Sequence, residues 1–157
     1  MQNEFEKYYN YTLRFLTIRS RSEKEIRDYL KKKKVSQETI EKITSKLKQY
    51  NFINDEEFTK WWIEQRTLFK PRAFKIIKIE LQQKGITNEI IEDQISNIKN
   101  QKQDLGMAQE IVQKKINKYK NFPKQEIYQK LGRILAQKGF NWEVIKQSID
   151  EALKGGV

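Results

Sequence analysis

The sequence predicts an all-α protein made of three tandem three-helix repeats, and three observations support this. The chain of 157 residues has only two prolines and six glycines, and most of its remaining residues favour helices. Charged residues make up 34% of it and hydrophobic ones 37%, which is typical of helices with one apolar stripe and a wide solvated face. One eleven-residue pattern occurs three times. Such repeats are expected to stack into an elongated, curved array.

The repeated pattern marks a corner between two helices. Its copies are LKKKKVSQETI at 30–40, LQQKGITNEII at 81–91 and LAQKGFNWEVI at 135–145. Gly85 and Gly139 suit the left-handed conformation that ends many helices, because glycine adopts it without side-chain strain. Lys34 stands at that position in the first copy and leaves its geometry open. The N-caps predicted for the helices that follow are Ser36, Thr87 and Asn141.

A third helix is predicted before each corner, because the copies are too far apart for two helices alone. The first covers residues 4–19 and ends before Ser22, which with Glu25 forms a capping box for the next helix. The second begins after the N-cap Asn54 and is expected to bury Phe58, Trp62 and Phe69. The third covers residues 105–119 and ends before Phe122 and Pro123. The predicted units are therefore repeat 1 at 1–55, repeat 2 at 56–104, repeat 3 at 105–153 and a disordered tail at 154–157.

Composition argues against an enzyme. The chain contains no cysteine and no histidine, which excludes thiol nucleophiles, Cys/His zinc sites and imidazole-based triads. No phosphate-binding glycine loop is present, and the paired carboxylates lie where helix capping explains them. We therefore expect no catalytic residue, no metal and no cofactor. Neither a secretory leader nor a membrane-spanning apolar segment is visible, so we expect a cytoplasmic monomer without membrane contact.

The charge predicts a polyanionic partner, either nucleic acid or an acidic protein surface. The net charge is +11, and basic residues are concentrated in the first and last repeats. Basic residues also recur near equivalent corners, where stacking would align them along one edge. Trp61 is predicted to lie at a rim, because its neighbour Trp62 shares the face of Phe58. The candidate partner-binding or DNA-binding residues are Arg19, Arg21, Lys31, Lys32, Lys33, Lys34, Trp61, Lys70, Arg72, Lys75, Lys114, Lys115 and Lys118.

Simpler interpretations of the same residues remain open. The lysines could merely keep a helical surface soluble, and the run Lys31–Lys34 could be a solvated helix end. Trp61 could be half-buried between repeats. Reading of DNA sequence by the second helix of a corner is disfavoured, because the N-terminus of that helix is acidic (Glu38 and Glu89) where base-contacting donors would be needed.

Four motifs follow one another along the chain: RSRSEKEIRDYL, YNFINDEEF, LQQKGI and QKLGRILAQKGFNWEVIKQSI. In this order they resemble the RecX family, regulators of the bacterial recombinase RecA. The resemblance implies three three-helix repeats and a role in DNA repair, homologous recombination and the SOS response. It also implies binding to the RecA nucleoprotein filament, with single-stranded DNA contacted directly or through RecA. Inhibition of RecA ATPase, of strand exchange and of filament growth or persistence would follow. The alternative is a helical repeat protein that binds nucleic acid directly and has no RecA-specific role.

Overall fold

The computed structural model describes residues 3–69, 71–99 and 103–155. Within those ranges it contains nine α-helices, one short 3₁₀ helix and no strand. The helices are α1 (Glu4–Ile18), α2 (Glu23–Lys32), α3 (Gln37–Gln49), α4 (Asp55–Leu68), α5 (Phe74–Gln83), α6 (Asn88–Lys99), α7 (Asp104–Lys115), α8 (Lys124–Gln137) and α9 (Trp142–Gly155), with the 3₁₀ helix at Ile116–Tyr119. The predicted all-α class and the three sets of three helices are confirmed. The elongated, curved form stays a prediction.

All three corners end their first helix in the same way. Gly85 and Gly139 have φ angles of 79° and 92°, and Lys34 has a φ angle of 62°. In each corner the next N–H donates to the carbonyl of the leading leucine; for Val35 and Leu30 the distance is 3.1 Å. Lys34 therefore adopts the left-handed conformation despite its side chain, and the first corner matches the other two.

The two glycines also allow close approach of another helix. A Cβ atom at Gly85 would lie 2.6 Å from Cβ of Lys24, and one at Gly139 would lie 2.2 Å from Cγ1 of Ile76. The side chain of Lys34 is exposed. Only backbone strain opposes a lysine at the first corner, whereas a side chain at the other two corners would also collide with a neighbouring helix.

The helices form two compact units. The first, unit 1, contains the residues up to Trp62 together with Glu80–Gln94. Its core includes a cluster from α2 and α3 against which the apolar side of α1 packs. The fully buried members of that cluster are Ile26, Leu30, Ile40, Ile43 and Leu47. The predicted capping box between Ser22 and Glu25 starts α2, with both of its hydrogen bonds present.

Unit 2 contains Ile63–Ile79 together with the residues from Ile95 onward. Its fully buried side chains include Ile77, Met107, Leu131 and Leu135.

Three details differ from the sequence-based expectation. Phe69 follows the end of α4 and is 72% exposed, so its predicted burial is wrong. The helix predicted over 105–119 ends as an α-helix at Lys115 and tightens into the 3₁₀ helix. Finally, α9 includes Lys154 and Gly155 of the predicted tail.

Two joints connect successive repeats through equivalent hydrogen bonds. In joint 1, Ser22 Oγ donates to the carbonyl of Lys84 at 2.8 Å, and the N–H of Glu23 donates to Asp55 Oδ1 at 2.9 Å.

In joint 2, the N–H of Ala73 donates to the carbonyl of Lys138 at 3.0 Å, and the N–H of Phe74 donates to Asp104 Oδ1 at 3.1 Å. Each carboxylate is the first residue of one helix and caps the N-terminus of another, where a negative charge is favoured.

Helix α8 begins one turn earlier than α2 and α5 do. Ile127 of α8 is in register with Ser22 and Ala73, because each lies eight positions before the leading leucine of its corner. The N–H of Ile127 donates within its own helix, to the carbonyl of Pro123 at 3.1 Å. In repeat 3 the position that makes the joint is therefore inside a helix.

Candidate nucleic-acid interface

The predicted basic residues of repeat 1 lie at joint 1, on the surface formed by α1 and α2, and at the end of α2. Arg19 and Arg21 lie at joint 1, where both face Glu25, and Arg19 also lies beside Trp61. Lys33 lies between two tyrosines on the surface formed by α1 and α2. Lys31, Lys32 and Lys34 are exposed at the end of α2. Their role in binding stays a prediction.

At joint 1, three cations surround one carboxylate. Arg19 binds Glu25 through Nη2 and Oε2 at 2.5 Å, and Lys84 Nζ lies 3.3 Å from the same oxygen. Arg21 Nη1 is 4.0 Å away, and the N–H of Ser22 donates to the other oxygen at 3.1 Å. One carboxylate therefore faces three cations, and the cluster has a net positive charge.

The charges at joint 1 change the acidity of two side chains. Burial by itself would raise the pKa of Glu25, but the Arg19 and Ser22 hydrogen bonds and the nearby cations outweigh it and hold the pKa below its usual range. Burial lowers the pKa of Arg21, and repulsion from Arg19 lowers it further. Nε of Arg21 is buried and has no hydrogen-bond partner among the described residues. Arg21 is therefore only partly neutralised by the protein.

Arg21 begins a column of stacked planes. Its Cζ lies 3.8 Å from the centroid of the Phe15 ring. The ring of Tyr29 stacks on Phe15 with a centroid distance of 4.2 Å and an interplanar angle of 6°. Two groups this close to one ring must lie on opposite faces of it. Phe15 is therefore covered on both sides, and Tyr29 is the outer member of the column.

Tyr11 lies next to this column and is surrounded by cations. Lys33 Nζ is 5.1 Å from the centroid of Tyr29 and 5.5 Å from that of Tyr11. Arg14 and Lys7 approach Tyr11 to 5.3 and 5.9 Å. These distances are within the range of cation–π attraction. We call the surface formed by Lys7, Tyr11, Arg14, Phe15, Ile18, Tyr29 and Lys33 the aromatic face.

The aromatic face is concave and positively charged. A depression of about 480 Å³ is lined by all of its residues except Lys7. Lys7, Arg14 and Lys33 are exposed, and none of the three forms a salt bridge with a carboxylate in the described part of the chain. Ile18 is 75% exposed at its edge. Aromatic rings combined with unpaired cations can bind the bases and phosphates of a nucleic acid.

The sequence prediction included Arg21 and Lys33 but missed Tyr11, Phe15 and Tyr29. Their spacing was a usable signal, because residues three or four positions apart share a helix face. Tyr11, Arg14 and Phe15 recur at that spacing along α1. Phe15 packs against the core cluster together with Tyr9, Leu13 and Leu16. Phe15 therefore joins the core-packing side of α1 to the aromatic and basic residues beside it.

Trp61 is half-buried at joint 1. Cζ of Arg19 lies 5.8 Å from the centroid of Trp61 and 5.7 Å from that of Trp62. Nε1 of Trp62 donates to Glu80 Oε1 at 3.2 Å. The alternative of half-burial thus describes Trp61 better than an open rim position does.

Unit 2 has a smaller group of basic residues at joint 2. Burial lowers the pKa of Lys138, and the charges of Arg72 and Lys115 lower it further. Where joint 1 has Glu25, the equivalent position in repeat 2 is Ile76, which cannot neutralise them. Lys75, Lys114 and Lys118 are exposed, and Lys70 lies outside the described residues. A role of these residues in binding stays a prediction.

Within the described ranges, no cluster of three or more acidic side chains suited to hold a metal ion occurs. None of the helices in those ranges is both long enough and apolar enough to cross a bilayer.

Comparison with protein families assigns all three repeats. Models of the first, second and third three-helix domains of RecX match residues 9–47, 54–93 and 102–149. The matched domains follow one another in the order of the family.

Known proteins give the same result over most of the chain. The regulatory protein RecX of Bacillus pumilus (strain SAFR-032) is 35% identical over 141 residues, which are 90% of this chain and 53% of that protein. The regulatory protein RecX of Clostridium beijerinckii is 37% identical over 142 residues, 90% of this chain and 66% of that protein. The crystal structure of RecX from Lactobacillus salivarius matches with a TM-score of 0.75 at 26% identity, over 94% of this chain and 96% of that one. The chain thus spans about half the length of the Bacillus relative.

Proposed function

This chain belongs to the RecX family, and on that premise we propose that it is a regulatory protein of the recombinase RecA. The observation that carries the proposal is the match to all three family domains in order. In detail, the protein binds RecA filaments on single-stranded DNA and inhibits ATP hydrolysis, strand exchange and filament growth or persistence. It acts through binding energy, without catalysis of its own, as a cytoplasmic monomer.

The surface of unit 1 supports this function physically. A RecA filament on DNA presents both phosphates and protein, so a regulator that binds it needs positive charge that its own carboxylates do not neutralise. Joint 1 and the aromatic face supply such charge, in Arg21 and in the exposed cations Arg14 and Lys33. Long-range attraction between opposite charges also speeds association.

The test is the DNA-dependent ATPase rate of RecA from the same organism, with this protein titrated in at fixed salt. Loss of hydrolysis at far less than one copy per RecA, where the protein cannot cover the DNA, is the expected result. Loss only after the DNA is saturated would contradict filament regulation and leave simple competition for DNA.

A charge-reversed variant with Arg14→Glu and Lys33→Glu should need several-fold more protein to stop hydrolysis. The matched control is Lys42→Glu with Lys146→Glu, which makes the same change in net charge at exposed positions outside the aromatic face. Equal loss in both variants would mean that net charge alone sets the effect.

The aromatic face favours a second function, which is direct binding of nucleic acid in the absence of RecA. The combination of ring faces and unpaired cations around Tyr11 and Tyr29 is the specific observation behind it. Binding to bare DNA or RNA by the isolated protein tests this second function.

A further inference from the structure

We infer that the aromatic face is a single-strand site, in which an unpaired nucleobase stacks on Tyr29 and the exposed cations hold the flanking phosphates. The inference rests on the direct nucleic-acid binding proposed above. It adds the residues that contact the ligand, and it adds a preference for unpaired over paired strands.

The stacked column places Tyr29 where a base could extend it. Phe15 is covered by Arg21 on one face and by Tyr29 on the other, at 3.8 and 4.2 Å. Phe15 covers one face of Tyr29, so the ammonium group of Lys33, 5.1 Å from the centroid, lies over the other face. Tyr29 and Lys33 both line the depression of about 480 Å³. A base entering the depression would become the next plane of an existing stack.

The group over Tyr29 can move aside. Lys33 is the C-cap of α2 and its side chain is exposed, so its ammonium group can shift from the ring to a phosphate without loss of packing. Tyr11 lines the same depression, with Arg14 and Lys7 beside it. A strand can therefore place one base against Tyr29 while its phosphates meet cations that lack carboxylate partners.

An unpaired strand fits these residues better than the other polyanions do. In a duplex both faces of each base are already stacked, so Tyr29 and Tyr11 would have no plane to bind. An acidic peptide would satisfy Lys33 and Arg14 but would offer no planar group to the open faces of Tyr29 and Tyr11. Stacking on aromatic rings is also tolerant of sequence, because every base has a π-face. We therefore expect little preference among sequences.

The test uses the full chain without RecA and a fluorescently labelled deoxythymidine oligomer about 15 nucleotides long, a length within the range covered by known single-strand binding folds. The anisotropy of the label reports binding. Tyr29→Leu keeps an apolar group on Phe15 but removes the stacking plane, and it should weaken binding roughly 5- to 30-fold. Tyr11→Leu, at a less central position, should weaken it in the same direction. The matched control is Tyr50→Leu, because Tyr50 is an exposed tyrosine of the same unit that stacks on Phe52, at 5.9 Å, outside the aromatic face.

Several outcomes would overturn the single-strand site. One is that a duplex of equal length binds the unaltered protein as tightly as the oligomer does. Unchanged affinity in both tyrosine variants, or an equal loss in Tyr50→Leu, would do so as well. Competition by polyglutamate at the same charge concentration, as effective as competition by unlabelled oligomer, would identify an acidic protein as the partner instead.

Failure of this site and failure of RecA regulation are distinguishable. A protein that does not bind the oligomer yet stops RecA hydrolysis at low stoichiometry contradicts the single-strand site alone. A protein that binds the oligomer through Tyr29 yet leaves RecA hydrolysis unchanged contradicts RecA regulation alone.

Discussion

Lys34 is a strained residue whose strain can be measured. Its φ angle of 62° lies in the left-handed region, which costs a residue with a side chain roughly 1–2 kcal/mol. Glycine avoids this cost, but it loses more conformational entropy on folding, and this loss offsets part of the gain. We expect Lys34→Gly to raise the free energy of unfolding by about 0.5–1 kcal/mol. Urea denaturation checks this. Lys33→Gly is the control and should bring no gain, because Lys33 has a φ angle of −87°. A less stable Lys34→Gly protein would contradict the strain.

Glu25 should make stability depend on pH. Its folded-state pKa is lowered, so it stabilises the protein above its unfolded-state value of about 4.3, and that contribution is lost as the pH falls through the folded-state pKa. Glu25→Gln should lower the free energy of unfolding by about 1–3 kcal/mol at neutral pH, because it leaves Arg19 and Lys84 unpaired. The difference from the unaltered protein should shrink below pH values of about 4.

Glu38→Gln is the control for this measurement. Glu38 is 80% exposed and pairs with Lys42 at 3.3 Å, and surface pairs of this kind contribute about 0–1 kcal/mol. A loss in Glu25→Gln that stays constant from pH 7 to about pH 3 would contradict the assignment of its charge to joint 1.

At the scale of helices, the two joints predict matched effects. Asp55 and Asp104 each accept the first N–H of another helix, at 2.9 and 3.1 Å. Removal of such a cap costs about 1 kcal/mol, so Asp55→Ala and Asp104→Ala should destabilise the protein by similar amounts in thermal or urea unfolding. Asp55→Asn should cost less than Asp55→Ala. The amide oxygen of asparagine still accepts the hydrogen bond. The substitution also removes a partly buried negative charge, and burial raises the pKa of the Asp55 carboxyl group.

Glu56→Ala is the control for the joints, because Glu56 is exposed and neighbours Asp55 without entering joint 1. An equal loss in Glu56→Ala would mean that the general acidity of the first turn of α4 is what matters. The cap itself would then contribute nothing.

The elements were predictable from the sequence to the extent that local chemistry determines them. The helix starts at Ser22 and Asn54 and the left-handed glycines followed from capping and backbone rules. The joints did not, because the contacts of Asp55 and Asp104 join residues about thirty positions away, and no local pattern reports such a pairing. The aromatic face was missed for a related reason. Tyr29 meets Phe15 only after α1 and α2 have packed, whereas the basic residues near it were visible as charge.

At the scale of the whole molecule, the net charge of +11 raises the question whether total charge or local charge controls binding. If the three cations of the aromatic face contact phosphates, affinity for a single strand should fall roughly 20-fold when salt rises from about 50 to about 200 mM. Replacing Lys7, Arg14 and Lys33 with glutamine should reduce the slope of log affinity against log salt by about 2.

The matched control replaces Lys42, Lys124 and Lys146, which are exposed elsewhere, and it removes the same net charge. Anisotropy titrations at four salt concentrations would give both slopes. Equal slopes in the two triple variants would show that the charge acts as a diffuse field and that the aromatic face has no special part.

The early start of α8 affects which contacts can form between copies of the chain. Joints 1 and 2 use the N–H groups of Glu23 and Phe74, each the first residue of its helix, whereas the equivalent residue of repeat 3, Tyr128, is the fifth residue of α8. The donor equivalent to those of joints 1 and 2 is therefore engaged inside α8, and the free N–H groups of this helix lie one turn earlier. The first helix of a second molecule could not form a joint there in the same register. A head-to-tail contact that repeats without closing produces open fibres. The additional turn of α8 therefore disfavours polymerisation through a joint of this kind.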